Sequence, residues 1–293
     1  MTVRRAPLAG LPLALLVVLL LVASVAPAGQ AAPSARDARW APAATATIHP
    51  GAQMLTKGAQ CTGNFVLADR RGRVYVGYAA HCAGLGEATD TDGCATGSHP
   101  LGTRVAFVEG MDPAQAGEVV GHGRLAYSSW LTMQQRGTTD ADACAANDFA
   151  LVRVSRGDRG EVNPSVPFWG GPTGLSSAGA AAGSSVYSYG GSSLRPTTLL
   201  SPKAGLSLGR TYGGWGWDVY TASPGIPGDS GSGFLDADGA GFGTLSTVAV
   251  APLAGSNGLG DLRREIAFAR EHAGIAGLHL VRGTEPFAAV PGL

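Results

Sequence analysis

Glycine is spread through this chain too densely for long helices. The 293 residues include 45 glycines and 18 prolines, which suit many tight turns better than helix interiors. Between the turns lie short runs in which apolar and other residues alternate, as in strands. The clearest of these runs are 74–78, 186–189 and 217–221. The pattern predicts an all-β protein of the barrel or sandwich kind, with regular structure beginning near Ile48.

One segment near the C-terminus has helical spacing instead. Leu262, Ile266 and Ala269 recur at intervals of three to four residues. Asp261 stands near the start of this run and Gly274 just beyond its end, as at helix termini. The spacing predicts one surface helix over 261–272, without a catalytic part.

A glycine-flanked serine lies in a turn that could present a nucleophile. The turn Gly228-Asp229-Ser230-Gly231 follows two nearby prolines. A serine hydroxyl is unreactive at neutral pH, so it needs a base, a carboxylate that orients the base, and donors for the developing oxyanion. His81 follows the predicted strand 74–78, and Asp148 opens an apolar run. The candidate residues therefore occur in the order His, Asp, Ser.

Each of these residues also has a structural interpretation. In so glycine-rich a chain the G-D-S-G sequence can be only a turn, His81 can be a buried structural histidine, and Asp148 can cap a strand. Five other histidines compete for the role of base, and none has a catalytic motif around it: His49, His99, His122, His272 and His279.

Three motifs together resemble the chymotrypsin-like (trypsin fold) serine proteases, specifically their secreted actinobacterial members. They are A-A-H-C at His81, D-F-A-L at Asp148 and G-D-S-G at Ser230, in that order. Subtilisins and α/β-hydrolases have other orders. The resemblance spans roughly residues 55–272 and implies two six-stranded antiparallel β-barrels with a C-terminal helix. The protease domain would cover 48–293, with the first barrel at about 48–160 and the second barrel and helix at about 161–293.

The resemblance also implies a role for each residue. Ser230 would be the nucleophile, His81 the base and Asp148 its partner, with the backbone amides of Gly228 and Ser230 forming the oxyanion hole. Asp229 would pair with a cation, and the sequence leaves that cation open. The function implied is a secreted serine endopeptidase that acts through an acyl-enzyme. Two alternatives stay open: a protease-like binding or adhesion module without activity, and an esterase-like hydrolase.

The specificity pocket is also inferred from the resemblance. The position at the pocket base, six residues before the serine, is Pro224, and the opposite wall includes Ser246 and Val248. The base carries no carboxylate, and Val248 replaces the usual glycine. We therefore expect cleavage after small or medium uncharged residues.

The chain has four cysteines, Cys61, Cys82, Cys94 and Cys144. They allow three disulfide connectivities. Their number in a chain with an export signal favours disulfides over free thiols. The resemblance implies that Cys61 pairs with Cys82, and this leaves Cys94 for Cys144. Metal ligation is the alternative, but no Cys-x-x-Cys or histidine cluster accompanies the thiols.

The N-terminus predicts export. Arg4 and Arg5 precede an apolar stretch that ends in small residues, which is typical of a signal peptide over 1–28. An uncleaved membrane anchor is the alternative. Residues 29–47 are rich in Ala, Pro and Thr and are interpreted as a pro-segment or linker. The mature chain is expected to be extracellular.

Charge excludes some partners. Without Arg4 and Arg5 the chain has two more acidic than basic residues, so it offers no basic footprint for nucleic acid or an anionic membrane. Two acidic stretches, 90–93 and 140–142, lack the remaining ligands of a calcium loop. We expect a monomer that needs no cofactor or metal and takes a polypeptide substrate.

Overall fold

The computed structural model describes residues 40–87, 90–248, 253 and 255–289. The predicted signal peptide (1–28) and most of the predicted pro-segment (29–47) lie outside these residues. Strands dominate the described chain, as its glycine and proline content predicts. In chain order they are β1 (Gln53–Thr56), β2 (Ala59–Thr62), β3 (Val66–Ala68), β4 (Val74–Tyr78), β5 (Arg104–Glu109), β6 (Glu118–Ser128), β7 (Ala150–Val154), β8 (Ser185–Tyr189), β9 (Pro202–Thr211), β10 (Gly216–Thr221), β11 (Gly233–Leu235), β12 (Gly241–Val248), β13 (Asn257–Asp261) and β14 (His279–Leu280).

The second half of the chain closes into a barrel. Its six strands follow the order β10-β13-β12-β11-β8-β9, and every neighbouring pair is antiparallel. Aromatic side chains fill the interior, including Trp217, Phe234 and Phe242, none of which is more than 3% exposed. This half has the architecture that the family resemblance implies.

Closure of the first half into the expected six-stranded barrel stays a prediction. The strands of this half, together with β14 from the C-terminal chain, follow the order β14-β3-β4-β7-β6-β5-β1-β2, and no pairing of the described strands closes it. Only three residues separate β2 from β3, and within them the chain passes from the side of β1 to the side of β4. Gly63 N–H donates to the carbonyl of Ala52 (2.9 Å), just before β1, and Asn64 N–H donates to the carbonyl of Gly77 (2.8 Å), in β4. The N–H of Thr62 turns away to the carbonyl of Ser230 (2.8 Å). The ladder is interrupted there because β2 bonds to the other half of the molecule.

The described residues also form three α-helices: α1 (Ser129–Arg136), α2 (Ala141–Ala146) and α3 (Leu262–His272). The helix α3 agrees with the sequence prediction. Asp261 accepts a hydrogen bond from Arg264 N–H at its start, and Leu262, Ile266 and Ala269 are buried. None of the described helices has the length and apolar character needed to cross a membrane.

Segments near both ends of the described chain contact the first half. β14 pairs with β3, with His279 opposite Ala68, so the C-terminal chain returns across the division expected near residue 160. At the other end Trp40 packs against the first core, and Ala41 N–H donates to Val162 O (2.9 Å). Residues 40 and 41 therefore contact the first half, and the role of 29–47 as a pro-segment or linker stays a prediction.

Candidate active site

His81 lies where β4 ends. The strand runs into a 3₁₀ turn, Ala80–Ala83, whose first residues are buried beside the histidine. Tyr78, the last strand residue, is fully buried, and its hydroxyl is bonded to the hydroxyl of Thr56 (3.2 Å). The tyrosine thereby fixes the end of β4 against β1, and the imidazole leaves the strand at a defined point.

Asp148 is brought to His81 by the pairing of β4 with β7. Tyr78 lies opposite Ala150 in this ladder, so the residues that flank the two strand ends meet. The carboxylate makes two contacts with the histidine: Oδ1 accepts a hydrogen bond from the backbone N–H of His81 (2.8 Å), and Oδ2 lies 2.6 Å from its Nδ1. Asp148 therefore fixes both the main chain and the ring of His81.

Ser246 is part of the same cluster. Its hydroxyl donates to Asp148 Oδ2 at 2.6 Å. This bond is a contact that the sequence did not predict, and the place of Ser246 in the pocket wall stays a prediction. This residue reaches across from β12 of the second half, so the aspartate is held from both halves.

The His81–Asp148 pair is electrostatically coupled. Burial alone lowers the pKa of His81, but the charge of Asp148 and its hydrogen bond outweigh burial and hold that pKa above 6.5. Burial likewise raises the pKa of Asp148, but the contacts with His81 and Ser246 outweigh burial. The pKa of Asp148 is therefore lowered from its ordinary value. The pair therefore favours a charged carboxylate beside a histidine that gains a proton readily.

The turn with Ser230 is fixed against the segment that carries His81. The Ser230 carbonyl accepts from Thr62 N–H (2.8 Å), and the next residue, Gly231, donates to Leu245 O (2.7 Å). Gly231 has a φ of +90°, and a Cβ there would lie 2.8 Å from the backbone N of Ala79. Only glycine allows so close an approach. Among the described hydrogen bonds none joins the Ser230 hydroxyl to the imidazole; the close approach of Gly231 to Ala79 brings the serine turn next to the segment of His81.

The backbone N–H groups of Gly228 and Ser230 are free to donate hydrogen bonds to a negatively charged oxygen. Gly228 has a φ of +93°, and a Cβ there would lie 2.2 Å from Gln60 Oε1. Its carbonyl is turned to the first half, where it accepts from Thr62 Oγ1 (2.7 Å) and Gln60 Nε2 (3.1 Å). Asp229 N–H is used within the turn. In the described part of the chain, the N–H groups of Gly228 and Ser230 have no protein acceptor.

The partners of Asp229, which the sequence left open, are Arg195 and Lys203. Arg195 Nη2 and Lys203 Nζ both bond its Oδ2, the latter at 2.9 Å. Asp229 and Lys203 are fully buried, and the Arg195 side chain is only 6% exposed. Burial raises the pKa of Asp229, but the two cations outweigh burial and lower it. This pairing of Asp229 with two cations in the interior holds the turn before Ser230.

A second buried carboxyl group lies behind Asp148. Glu265 of α3 is 0% exposed; its Oε2 accepts from Thr244 Oγ1 (2.8 Å), and its Oε1 has no partner among the described residues. Burial raises the pKa of Glu265 well above 4.5, and the negative charge of Asp148 raises it further. These effects favour the neutral form of the carboxyl group, which is supplied by α3, a helix expected to be only a surface helix.

The candidate pocket residues are only partly brought together. Pro224 is exposed, and its carbonyl accepts from Arg195 Nη2 (3.0 Å) and Lys203 Nζ (3.3 Å). Val248 ends β12 with 48% of its surface exposed. Two cations therefore contact the segment that is expected to form the base of the pocket. The pocket itself stays a prediction.

Two disulfides brace the site, and both have the expected pairing. Cys61–Cys82 joins β2 to the turn that contains His81. Cys94–Cys144 joins the loop after that turn to α2, which leads into Asp148. The two groups of possible metal ligands in the described chain consist of these bonded cysteines with His81 or Asp92. A disulfide sulfur is not the thiolate that a metal needs, so neither group is a metal site.

No family model matches the chain, and no curated protein matches it in sequence. Similar solved structures include Thermobifida fusca protease A (18% identity, 80% of this chain and 99% of that one, TM-score 0.48). A Cellulomonas bogoriensis chymotrypsin is 17% identical over 80% of this chain and 98% of that one, with a TM-score of 0.46. A Glu endopeptidase is 16% identical over 82% and 96%, with a TM-score of 0.47. These similar structures are proteases of the kind that the three motifs resemble. At such identities and TM-scores nothing about the activity of this chain follows from them.

Proposed function

We propose that this chain is a secreted serine endopeptidase of the chymotrypsin-like family. One observation carries the proposal: Asp148 holds His81 through its ring and its backbone N–H, and accepts a third hydrogen bond from Ser246. A histidine that merely packs in a core needs no carboxylate on both its ring and its main chain. A binding module that had lost its activity would not need to keep this arrangement. A neutral pair of side chains would stabilise the fold about as well as the charged pair does.

The first half-reaction starts at Ser230. With Nδ1 held by Asp148, Nε2 of His81 is the ring nitrogen that takes the hydroxyl proton as Oγ attacks the scissile carbonyl carbon. The charge of Asp148 stabilises the imidazolium that forms. The carbonyl oxygen becomes an oxyanion, and the N–H groups of Gly228 and Ser230 are the donors proposed to receive it. His81 then gives its proton to the leaving amine, and the acyl chain stays on Ser230.

The second half-reaction regenerates the enzyme. His81 takes a proton from a water molecule, which attacks the acyl carbon, and the same two amides receive the second oxyanion. The bond to Ser230 Oγ then breaks, and His81 returns the proton to that oxygen. No metal or cofactor enters any step.

Export is proposed together with the activity. The two disulfides need an oxidising compartment to persist, which agrees with the signal peptide predicted at 1–28. We propose that the mature chain acts as a monomer outside the cell on polypeptides.

Peptide hydrolysis tests the proposal. The secreted protein is incubated with an unfolded, fluorescently labelled protein, beside His81→Ala and Ser230→Ala. We expect turnover that each variant lowers by a factor on the order of 10⁴ or more. His279→Ala, which removes an exposed histidine from β14, is the control and should keep its activity. A correctly folded wild type that cleaves small esters but no peptide would favour the esterase alternative, and one that cleaves neither would favour the binding module.

A further inference from the structure

A cationic pocket lies apart from the triad, where α3 begins beside the loop 176–179. Its volume is about 350 Å³. Three arginines line it: Arg210 from β9, and Arg263 and Arg264 from the first turn of α3. All three are exposed, so their guanidinium groups are open to a ligand.

Two of the guanidinium groups converge on one point. Arg264 Nη2 and Arg210 Nη1 lie 3.1 and 3.3 Å from the position that a Cβ on Gly214 would occupy. Neighbouring groups of like charge repel, and long exposed side chains are free to swing apart. They converge here although the chain as a whole has no excess of positive charge.

Contacts with neutral groups keep the arginines in place. Arg263 Nη1 donates to Ser177 O (2.8 Å), and Arg210 Nη2 donates to Ala178 O (3.2 Å). Arg210 also stacks on Trp217, with its guanidinium carbon 4.2 Å from the ring centroid. Arg264 lies over Trp215 at 5.3 Å. A carbonyl or a ring orients a guanidinium without cancelling its charge, and the remaining N–H donors stay available.

Asp261 is the one carboxylate among the described residues that line the pocket, and its oxygens already accept hydrogen bonds from other groups. Asp261 is 4% exposed; it accepts from Trp217 Nε1 (3.0 Å) and from the N–H of Arg264 (2.9 Å) and lies 3.7 Å from Arg210 Nη1. Asp140 and Asp142 lie near Trp215 and Gly213 but do not line the pocket. The lining side chains therefore carry a surplus of two positive charges.

We propose that this pocket binds a tetrahedral oxyanion, a phosphate or sulfate group. Guanidinium groups match the oxygens of such anions with paired N–H donors, and Arg is the residue best suited to this recognition. The group can come from free inorganic anion or from a phosphorylated or sulfated polymer outside the cell. The site makes no use of His81 or Ser230, so it is independent of the proposed peptidase activity.

Calorimetric titration tests the proposal. Inorganic phosphate is titrated into wild-type protein, Arg263→Gln/Arg264→Gln and the control Arg70→Gln/Arg71→Gln at constant ionic strength. Arg70 and Arg71 are exposed arginines in a turn of the first half, so the control removes the same number of surface charges as the test variant. We expect the double variant to bind at least about tenfold more weakly and the control to bind as the wild type does. A second arm uses a sulfated polysaccharide and its desulfated form.

The outcomes separate the sources of the anion. Phosphate binding that needs Arg263 and Arg264 supports a site for free anion, and binding of the sulfated polymer alone supports a polymer. Amide NMR of the wild type, with the indole N–H of Trp217 as reporter, gives the answer if the double variant does not fold. Binding of neither probe overturns the proposal. So does binding that Arg70→Gln/Arg71→Gln weakens equally, or that leaves the Trp217 and Arg264 signals unmoved.

Discussion

Ser246 and His81 share one oxygen of Asp148. The Ser246 hydroxyl lies 2.6 Å from Oδ2, and Nδ1 of His81 lies 2.6 Å from the same atom. The serine comes from β12 and the histidine from the end of β4, so this single oxygen joins the two halves of the molecule. The position of the imidazole thereby depends on how the halves dock.

Ser246→Ala tests this dependence. A hydrogen bond to a charged group contributes about 1.5–3 kcal/mol, so its loss should lower kcat/KM by roughly tenfold or more. The loss should fall on kcat, because Ser246 orients the base through Asp148. Peptide hydrolysis kinetics measure the split. Ser184→Ala, in the turn before β8, is the control and should match the wild type; an unchanged kcat in Ser246→Ala would show that Asp148 is positioned without the serine.

Activity should rise with pH as His81 loses its proton. Only the neutral imidazole accepts the proton of Ser230, and Asp148 holds the pKa of His81 above 6.5. The acid limb of kcat/KM should therefore have its midpoint above 6.5 and follow the loss of one proton. A pH profile of peptide hydrolysis from about pH 5 to 9 records this limb. A midpoint clearly below 6.5, or a flat profile, is incompatible with this base.

Glu265 should make the fold less stable as pH rises. Burial raises its pKa well above 4.5, so the folded protein keeps a proton that the unfolded chain releases. Stability from this group is complete below the unfolded pKa and declines as pH increases toward the folded one. Glu265→Gln keeps the shape and cannot ionise, so its free energy of unfolding should decline less between pH 5 and 9. Urea unfolding measures both curves, and parallel curves would mean that Glu265 is ionised in the folded state.

The preferred cut site should exclude basic residues. Pro224 and its neighbours carry no carboxylate, and Arg195 and Lys203 donate to the Pro224 carbonyl. A lysine or arginine of the substrate would lose water there without gaining a partner. We expect cuts after Ala, Val or Leu and few after Arg or Lys. Mass spectrometry of a digested, denatured protein mixture shows the profile, and a majority of cuts after Arg or Lys would place the pocket elsewhere.

Local patterns predicted the elements that local forces decide. The strand 74–78 and the helix α3 were visible because alternation and helical spacing are properties of neighbouring residues. The break between β2 and β3 was not visible, because it arises where Thr62 bonds Ser230, 168 residues further along the chain. The return of β14 to β3 is equally non-local.

Sequence motifs predict the reactive residues of the candidate site, but they do not predict the side chains that hold those residues in place. Motifs mark His81, Asp148 and Ser230, but nothing in the sequence marks which cation meets Asp229. Lys203 offered only a weak signal, as one of two lysines in the chain. Glu265 offered a better one: it lies three residues after Leu262 and four before Ala269, on the buried face of α3. A charged residue at such a position is a candidate for a buried acid.

Covalent labelling of Ser230 tests the central claim most directly. A fluorophosphonate probe reacts with a serine only when a neighbouring base activates it. The secreted wild type and Ser230→Ala are exposed to the probe, and peptide mapping locates the adduct. The account predicts one adduct per chain, on Ser230, that is absent from Ser230→Ala and lost in His81→Ala. A folded, processed wild type that stays unlabelled, or that is labelled at another serine, would contradict it.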